Sequence, residues 1–288
     1  MTSQGAGRIM MGFYIVLFFG FLFGPLIVMA LTAFNTEAYP TAFPITGLTF
    51  EWFGVLMADR TLMEGIWSSL LIGIFVVCLA VPIGLAGAIV MTQIYSRARA
   101  LYYLVVVSPV LTPGVILGIS TVIFWRDIAD RTGAEAVYTG LFLATLGQST
   151  FISAYCMLMF LSRLQRYDNA QEEAALDLGA TRTQVFFHIL IPYLKPAIIS
   201  AAVIAFLSSF ENYNTTTFAI LADKTLTTAL AGRVRQGTTP AISALAVLII
   251  AISITGAIVY EVLRRAEETR EKKRERVARE AERIEAAA

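Results

Sequence analysis

Acidic side chains gather in one short stretch of an otherwise apolar chain. Between positions 168 and 192, D-N-A-Q-E-E-A-A-L-D-L-G-A-T-R-T-Q-V-F-F-H-I-L-I-P, the carboxylates Glu172, Glu173 and Asp177 accompany Ala170, Ala174, Ala175 and Leu178. The latter four follow the i, i+4, i+5, i+8 spacing of one helical face, and the carboxylates lie off it. A face of alanines anchors a core poorly but lets the backbone or side chains of another protein come close. Carboxylates alongside would accept hydrogen bonds from its Arg or Lys residues. On these residues alone, the stretch is either a surface for recognising a partner or simply two connecting helices of a loop.

A second group, Glu211-Asn212-Tyr213-Asn214, interrupts an apolar run expected to span 197–221. A charge within such a run costs about 2.5 to 3.5 kcal/mol on insertion scales, so either it faces the bundle interior or a water-filled route, or the helix ends near Ser209 and Glu211 lies in a wet loop. Glu211, with Asn212, Tyr213 and Asn214, is the candidate lining of a solute path. Catalytic residues are not expected. The one histidine, His188, cannot bind a metal by itself and is expected to face solvent or a polar contact. Cys78 and Cys156 sit in apolar runs and are expected as small buried hydrophobes. No G-x-x-x-x-G-K-[ST] phosphate loop occurs, so no metal or cofactor site is assigned and any ATP would be handled by another chain.

The elements around the first stretch can be read from its punctuation. Asp168 with Gln171, and Thr181 with Gln184, have the spacing of capping boxes. Gly179 stands where the first helix, ending near Leu178, needs a left-handed residue. The second helix is expected from Arg182 to Ile191, with Val185, Phe186, Ile189 and Leu190 as its bulky stripe, stopped by Pro192. Two short helices around a glycine bend result.

The remainder reads as a membrane protein. With 288 residues, 57% hydrophobic, and a net charge of only +1, the chain exceeds the apolar share of soluble domains. An all-α integral membrane fold with six transmembrane helices is expected, at about 9–31, 66–94, 101–125, 136–161, 197–221 and 241–260, each near the ~20 residues that cross the hydrocarbon core. The first is too long for a signal-peptide core and is read as retained. Residues 32–64 form a loop with an interfacial helix near Trp52, Pro82 kinks the second span, and Pro109, Pro113 and Gly114 interrupt the third. Polar loops are expected at 126–135 and 223–240, and a loop carrying the bend at 162–195. Residues 1–262 make up the membrane domain. A charged tail, 263–288, is expected as a solvated helix held by i, i+4 pairs such as Glu268 with Lys272. With six spans, sixteen of the 22 Lys and Arg residues fall on the side of both termini and of the 162–195 loop. The positive-inside rule makes that side cytoplasmic.

Glu173-Ala174-Ala175, three residues, Gly179, nine residues and Ile189-Leu190-Ile191-Pro192 resemble the EAA loop of the inner-membrane permease subunits of binding-protein-dependent ABC importers. The family pattern ends I-x-L-P, and Ile191 in place of Leu is its one departure. The resemblance implies a type I ABC importer fold in which the first short helix is a coupling helix. Glu172, Glu173, Ala174, Ala175, Asp177 and Gly179 would dock on a cytosolic ATPase. It also implies as partners a second permease subunit, related to this one, two ATPase subunits that bring ATP and Mg, a soluble binding protein on the outer side, and membrane lipid, with no nucleic acid. The segment from Leu226 to Ala246, with Gly237, Thr239-Pro240 and Ala244-Leu245-Ala246, resembles the spermidine/putrescine-type second permeases, which implies a polyamine or related amine as cargo. An ion-driven secondary transporter is the alternative. It would need ionisable residues at mid-membrane in both halves, and only Glu211 fits.

Overall fold

A computed structural model describes residues 2–256, 258, 261 and 262. The charged tail expected at 263–288 lies outside them. Among the described residues there is no β-strand, only an isolated bridge between Asn35 and Leu48. Four helical runs are long and apolar enough to cross a membrane: Met10–Phe34, Arg60–Gln93, Gly140–Leu164 and Arg182–Phe210. A fifth is a bent pair, and the expected sixth span is described as the shorter helix Pro240–Gly256.

The chain divides into two compact units. One comprises residues up to Ala58 and from Gly237 onward. Its first helix, α1 (Thr2–Phe34), continues three residues past the expected end. The following loop is built on Asn35, whose Nδ2 donates to the carbonyls of Thr41 and Pro44 at 3.1 Å each and whose Oδ1 accepts from the Thr46 N–H at 3.2 Å. The Trp52 indole N–H donates to the Asn35 carbonyl at 2.7 Å, orienting the expected short helix α2 (Glu51–Ala58). The Thr32 hydroxyl donates to Ser243 at 2.8 Å, tying α1 to the helix Pro240–Gly256 of this unit.

The second unit, Asp59–Gln236, carries both candidate sites. Its axis is α3 (Arg60–Gln93), which begins about five residues before the apolar run and passes through Pro82 as one helix. Asp59 caps it, accepting from the N–H groups of Thr61 at 3.0 Å and Leu62 at 3.3 Å. Gly65, Ser69 and Gly73, then Ala80, Gly84 and Ala88, form a buried ridge of small residues at four-residue intervals. In a membrane, where apolar side chains gain nothing by leaving lipid for each other, such ridges let helix backbones close in. The first half of this ridge meets Thr225, Leu226 and Phe206, and on its second half, around Gly84, packs α6 (Gly140–Leu164), whose Leu143, Ala144, Ile152, Cys156, Met157 and Phe160 are buried in the core with Ile72, Val76 and Ala80. Cys156 is thus buried as expected, whereas Cys78 is exposed, on the outer side of α3.

The expected third span is not straight. It is α4 (Ser96–Leu111) and α5 (Gly114–Thr132), meeting at 100°. Thr112, before Pro113, is extended (φ −83°, ψ 131°), as the proline ring requires of its predecessor. Helix α5 then runs through most of the expected 126–135 loop, held there by Arg131–Asp127 and Arg126–Asp130 pairs.

The loop expected at 223–240 also holds a helix, Leu226–Gln236. Its Arg233 pairs with Asp59 at 2.6 Å, and the N–H of Leu226 donates to the Ser69 hydroxyl at 2.9 Å. Burial alone would raise the Asp59 carboxyl, but the Arg233 hydrogen bond, the Leu62 N–H, the Arg233 charge and the Thr61 N–H hold its pKa below the ordinary 3.8. A depressed carboxylate stabilises the fold above its ordinary pKa, and the contribution is lost as pH falls through the lowered value. The melting temperature of purified protein should therefore exceed that of Asp59→Asn by a constant margin between about pH 5 and 8, shrinking only below about pH 4. Asp59→Ala should cost about 1 kcal/mol more than Asp59→Asn at every pH, because asparagine still caps. A margin already shrinking at pH 6 would assign the stabilisation to another group.

Candidate functional site

The residues expected to dock a partner form α7 (Ala170–Asp177), which contains no buried residue. Its start differs from the expected box: the Asp168 carboxylate accepts from the Ala170 N–H at 3.0 Å, two residues on, without engaging Gln171. Its end is as expected. Gly179 is left-handed (φ +87°), its N–H donates to the Leu176 carbonyl at 2.9 Å, and the Ala180 N–H reaches back to the Ala175 carbonyl at 3.0 Å. This pair of bonds is the Schellman stop. Beyond the bend, Thr181 and Gln184 make the expected capping box: the Gln184 N–H donates to the Thr181 hydroxyl at 3.3 Å, and the Gln184 side-chain carbonyl accepts from the Thr181 N–H at 2.8 Å.

Glu173, Ala174, Asp177 and Gly179 are exposed, while Glu172 and Ala175 are half-buried. The expected alanine face is therefore split, with Ala175 turned inward and Ala174 outward. Leu178, placed on that face, is 89% exposed at the bend. Behind it lies a concavity of about 430 Å³ lined by Leu178, Gly179, Ala180, Gln184, Val185 and His188, among others. His188 is exposed, with Nδ1 3.0 Å from the Gln184 carbonyl oxygen.

Pro192 does not stop the second helix. After the single turn α8 (Arg182–Val185), five residues, Phe186–Leu190, take π geometry, and α9 (Ile191–Phe210) continues the same run. The Ile191 N–H reaches the Phe186 carbonyl, five residues back, and Pro192 falls at the first turn of α9. A widened turn there spares the proline the donor it lacks. The bend is thus continuous with a membrane-length helix.

The second candidate group lies at the other end of α9. The helix stops at Phe210, eleven residues before the expected limit, with Glu211 as its cap. Asn212 is the cause: its Oδ1 accepts from the N–H groups of Thr215 and Thr216 at 3.2 Å each and from the Thr216 hydroxyl at 3.0 Å, taking the place of helical partners. A single turn, α10 (Thr216–Ala219), follows. Gln148 of α6, only 1% exposed, fixes this break, donating to the Thr216 hydroxyl at 2.7 Å and accepting from Ser209 at 2.5 Å.

Glu211 is therefore an exposed carboxylate on an unwound turn. With Asn212, Tyr213 and Asn214 it lines a cavity of about 550 Å³, closed on the α6 side by Phe151 and Tyr155. Arg235, from the third turn of the helix Leu226–Gln236 (α11), donates to the Tyr213 hydroxyl at 3.2 Å. A carboxylate among aromatic rings, amides and hydroxyls suits a cation that carries N–H donors. Gln148, Phe151 and Tyr155 were not expected. A glutamine inside an apolar run, and an aromatic pair four residues apart beyond it, were the available signal. Among the described residues no cluster of His, Cys, Asp or Glu could hold a metal ion.

Comparison with known proteins extends over the same residues. The family model described as "Binding-protein-dependent transport system inner membrane component" matches residues 52–269. The "Putrescine transport system permease protein PotI" of Escherichia coli (strain K12) is 33% identical over 260 residues, covering 89% of this chain and 91% of that one. The "Spermidine/putrescine transport system permease protein PotC" of Haemophilus influenzae is 23% identical over 248 residues, covering 86% and 93%. In fold, the chain is similar to one from the crystal structure of a bacterial alginate ABC transporter in complex with an alginate pentasaccharide-bound periplasmic protein, with a TM-score of 0.66 at 18% identity, covering 89% and 92%.

Proposed function

We propose, from the premise that this chain belongs to the inner membrane components of binding-protein-dependent transport systems, that it lines half of an import path for a polyamine and is driven through α7. It is a permease subunit of an ABC importer, embedded in the membrane and not itself an enzyme. Membership leaves no observation on the side of an ion-driven carrier. The observation that carries the proposal is the exposed helical bend at Gly179, continuous through the π segment with α9 and so with the Glu211 turn at its far end.

In this reading both termini and α7 are cytoplasmic, supported by the bias of Lys and Arg. The chain crosses the membrane six times, the bent α4–α5 pair counting as one crossing. Two cytosolic ATPases bind ATP and Mg, and their closure draws in α7, docked through Glu172, Glu173, Ala174, Ala175, Asp177 and Gly179. That motion shifts the spans between inward-open and outward-open arrangements. A second, related permease supplies the other wall, and a soluble protein delivers cargo on the outer side.

The cargo class follows from the cavity beside α6 and from the names of the relatives. Glu211 would pair with an ammonium group while Phe151 and Tyr155 offer ring faces. A charge-assisted hydrogen bond contributes about 1.5 to 3 kcal/mol, so Glu211→Gln should lower putrescine uptake by roughly ten-fold or more at subsaturating concentration. Stimulation of ATP hydrolysis by the loaded delivery protein should persist. Uptake kinetics equal to wild type would take Glu211 off the path.

A further inference from the structure

Movement of α7 does work only if it reaches the spans, and the chain beside it is poorly built to carry force. Between α6 and α7 lie residues 165–169, of which Tyr167 and Asp168 have no regular structure. On the other side, the π segment of Phe186–Leu190 replaces regular α-helical turns. Left to the backbone alone, a push on α7 would reach the spans weakened at both ends.

Three side chains bridge these ends. The Arg163 guanidinium, in the last turn of α6, stands 4.6 Å from the ring centroid of Tyr193, in the first turn of α9. The Tyr193 hydroxyl donates to the Arg163 carbonyl at 3.2 Å, so the two helices are joined twice through one residue pair. The Tyr167 ring, from the linker into α7, packs on Tyr193 with centroids 5.0 Å apart and planes at 54°. The group is kept at a cost: Arg163 Nε and Tyr167 Oη are buried and find no hydrogen-bond partner among the described residues. Burial raises the Tyr167 pKa, and the carboxylates of Glu172, on α7, and Asp168 raise it further. Tyr167 therefore also feels the charge of the docking helix.

We infer that Arg163, Tyr167 and Tyr193 are positioning residues that clamp both ends of the docking loop into one body, so that displacement of α7 moves α6 and α9 together. The inference rests on the coupling role proposed for α7. It assigns to these side chains the efficiency of coupling, not the docking itself.

The test uses the complete transporter in proteoliposomes, with its ATPases, second permease and delivery protein, and putrescine as the probe. In Tyr193→Leu and Arg163→Gln the ATP hydrolysed per putrescine delivered should rise at least five-fold, with the ATPases still bound in wild-type ratio. The double variant should be no worse than Tyr193→Leu alone, since losing the Tyr193 ring and hydroxyl already removes both joins to Arg163. Tyr193→Phe, which keeps the ring, should lie between wild type and Tyr193→Leu. Spin labels at the exposed positions Gln171 and Ser200 report the clamp without transport. Their distance should stay constant on nucleotide-driven closure in wild type and change in Tyr193→Leu. A ratio equal to wild type in all variants, or a label distance that changes in wild type, would overturn the clamp while leaving α7 as the docking helix. Wild-type protein that binds no ATPase would instead remove the coupling role on which the clamp rests.

Discussion

A leucine at position 84 should prevent the bundle from assembling. A Cβ built on Gly84 would sit 2.5 Å from the Cβ of Cys156, 2.7 Å from the carbonyl oxygen of Ser153 and 2.8 Å from the backbone nitrogen of Met157. Two of these atoms are backbone of α6, so no rotamer change can relieve the clash. Separating the helices would undo the close approach that Ala80, Gly84 and Ala88 permit along α3. Overpacking typically costs about 1 to 3 kcal/mol for added methylenes, and an obstruction against backbone belongs at or beyond the upper end. Gly84→Leu should therefore yield little or no monodisperse protein on detergent size-exclusion chromatography, and Gly84→Ala a protein with a clearly lowered melting temperature. Gly87, one turn on, provides the control. A Cβ there meets Met157 and Tyr102 side-chain atoms at 3.4 Å, ordinary contact, so Gly87→Ala should behave as wild type. A monodisperse Gly84→Leu protein melting with Gly87→Ala would mean that α3 and α6 are not in the contact described.

What could be foretold divides along the range of the interactions involved. The left-handed Gly179 and the Thr181–Gln184 box depend on residues within a few positions of each other, and both stand where the spacing predicts them. Long apolar runs likewise announce the spans. Errors arose where a distant partner or an alternative backbone geometry decided the outcome. Pro192 reads as a stop because a proline inside a regular α-helix lacks a donor and clashes with the preceding turn. The π segment before it removes that conflict, and no single residue announces it. The end of α9 at Phe210 is fixed by Asn212, whose carbonyl is held in turn by Thr216 and, through it, by Gln148 of another helix. The Leu226–Gln236 helix passes as a loop because its length is short and its anchors, Asp59 and Ser69, are more than 150 residues away. Within the candidate site the limit is of another kind. In a span apolar on all sides, hydrophobic periodicity no longer marks a face, so only the four-residue spacing of Phe151 and Tyr155 beyond Gln148 sets these cavity-lining rings apart from aromatic residues that meet lipid. The carboxylate of Glu211 stood out because charge is costly there; its aromatic neighbours carry no such mark.

Proline at position 179 should abolish uptake while leaving the protein inserted and folded. The reason lies in backbone geometry. Proline fixes φ near −65°, and Gly179 occupies +87°, so the bend cannot form around it. Proline also removes the N–H that Gly179 donates to the Leu176 carbonyl, leaving the end of α7 without half of its stop. Nothing lies within 4 Å of a Cβ built there, and the surrounding turn is exposed, so the damage stays in the loop and does not spread to the spans. Redirected, α7 would present Glu173, Ala174 and Asp177 to the wrong place. Glu173→Lys should reach the same end by another route, placing a cation on the exposed first turn of α7, where the helix dipole favours an anion and where a basic partner surface would repel it. Both variants should reduce uptake more than 100-fold with unchanged expression and melting temperature, and both should lose ATPase stimulation by the loaded delivery protein. Gly179→Asn separates conformation from composition. Asparagine tolerates the left-handed region, so it should keep most of the uptake, and Gly179→Ala should fall between, at a conformational cost of about 1 kcal/mol. If asparagine and proline were equally damaging, the bend would owe its role to glycine's lack of a side chain against a partner and not to its φ. If neither were damaging, force would reach the spans by some path other than this loop.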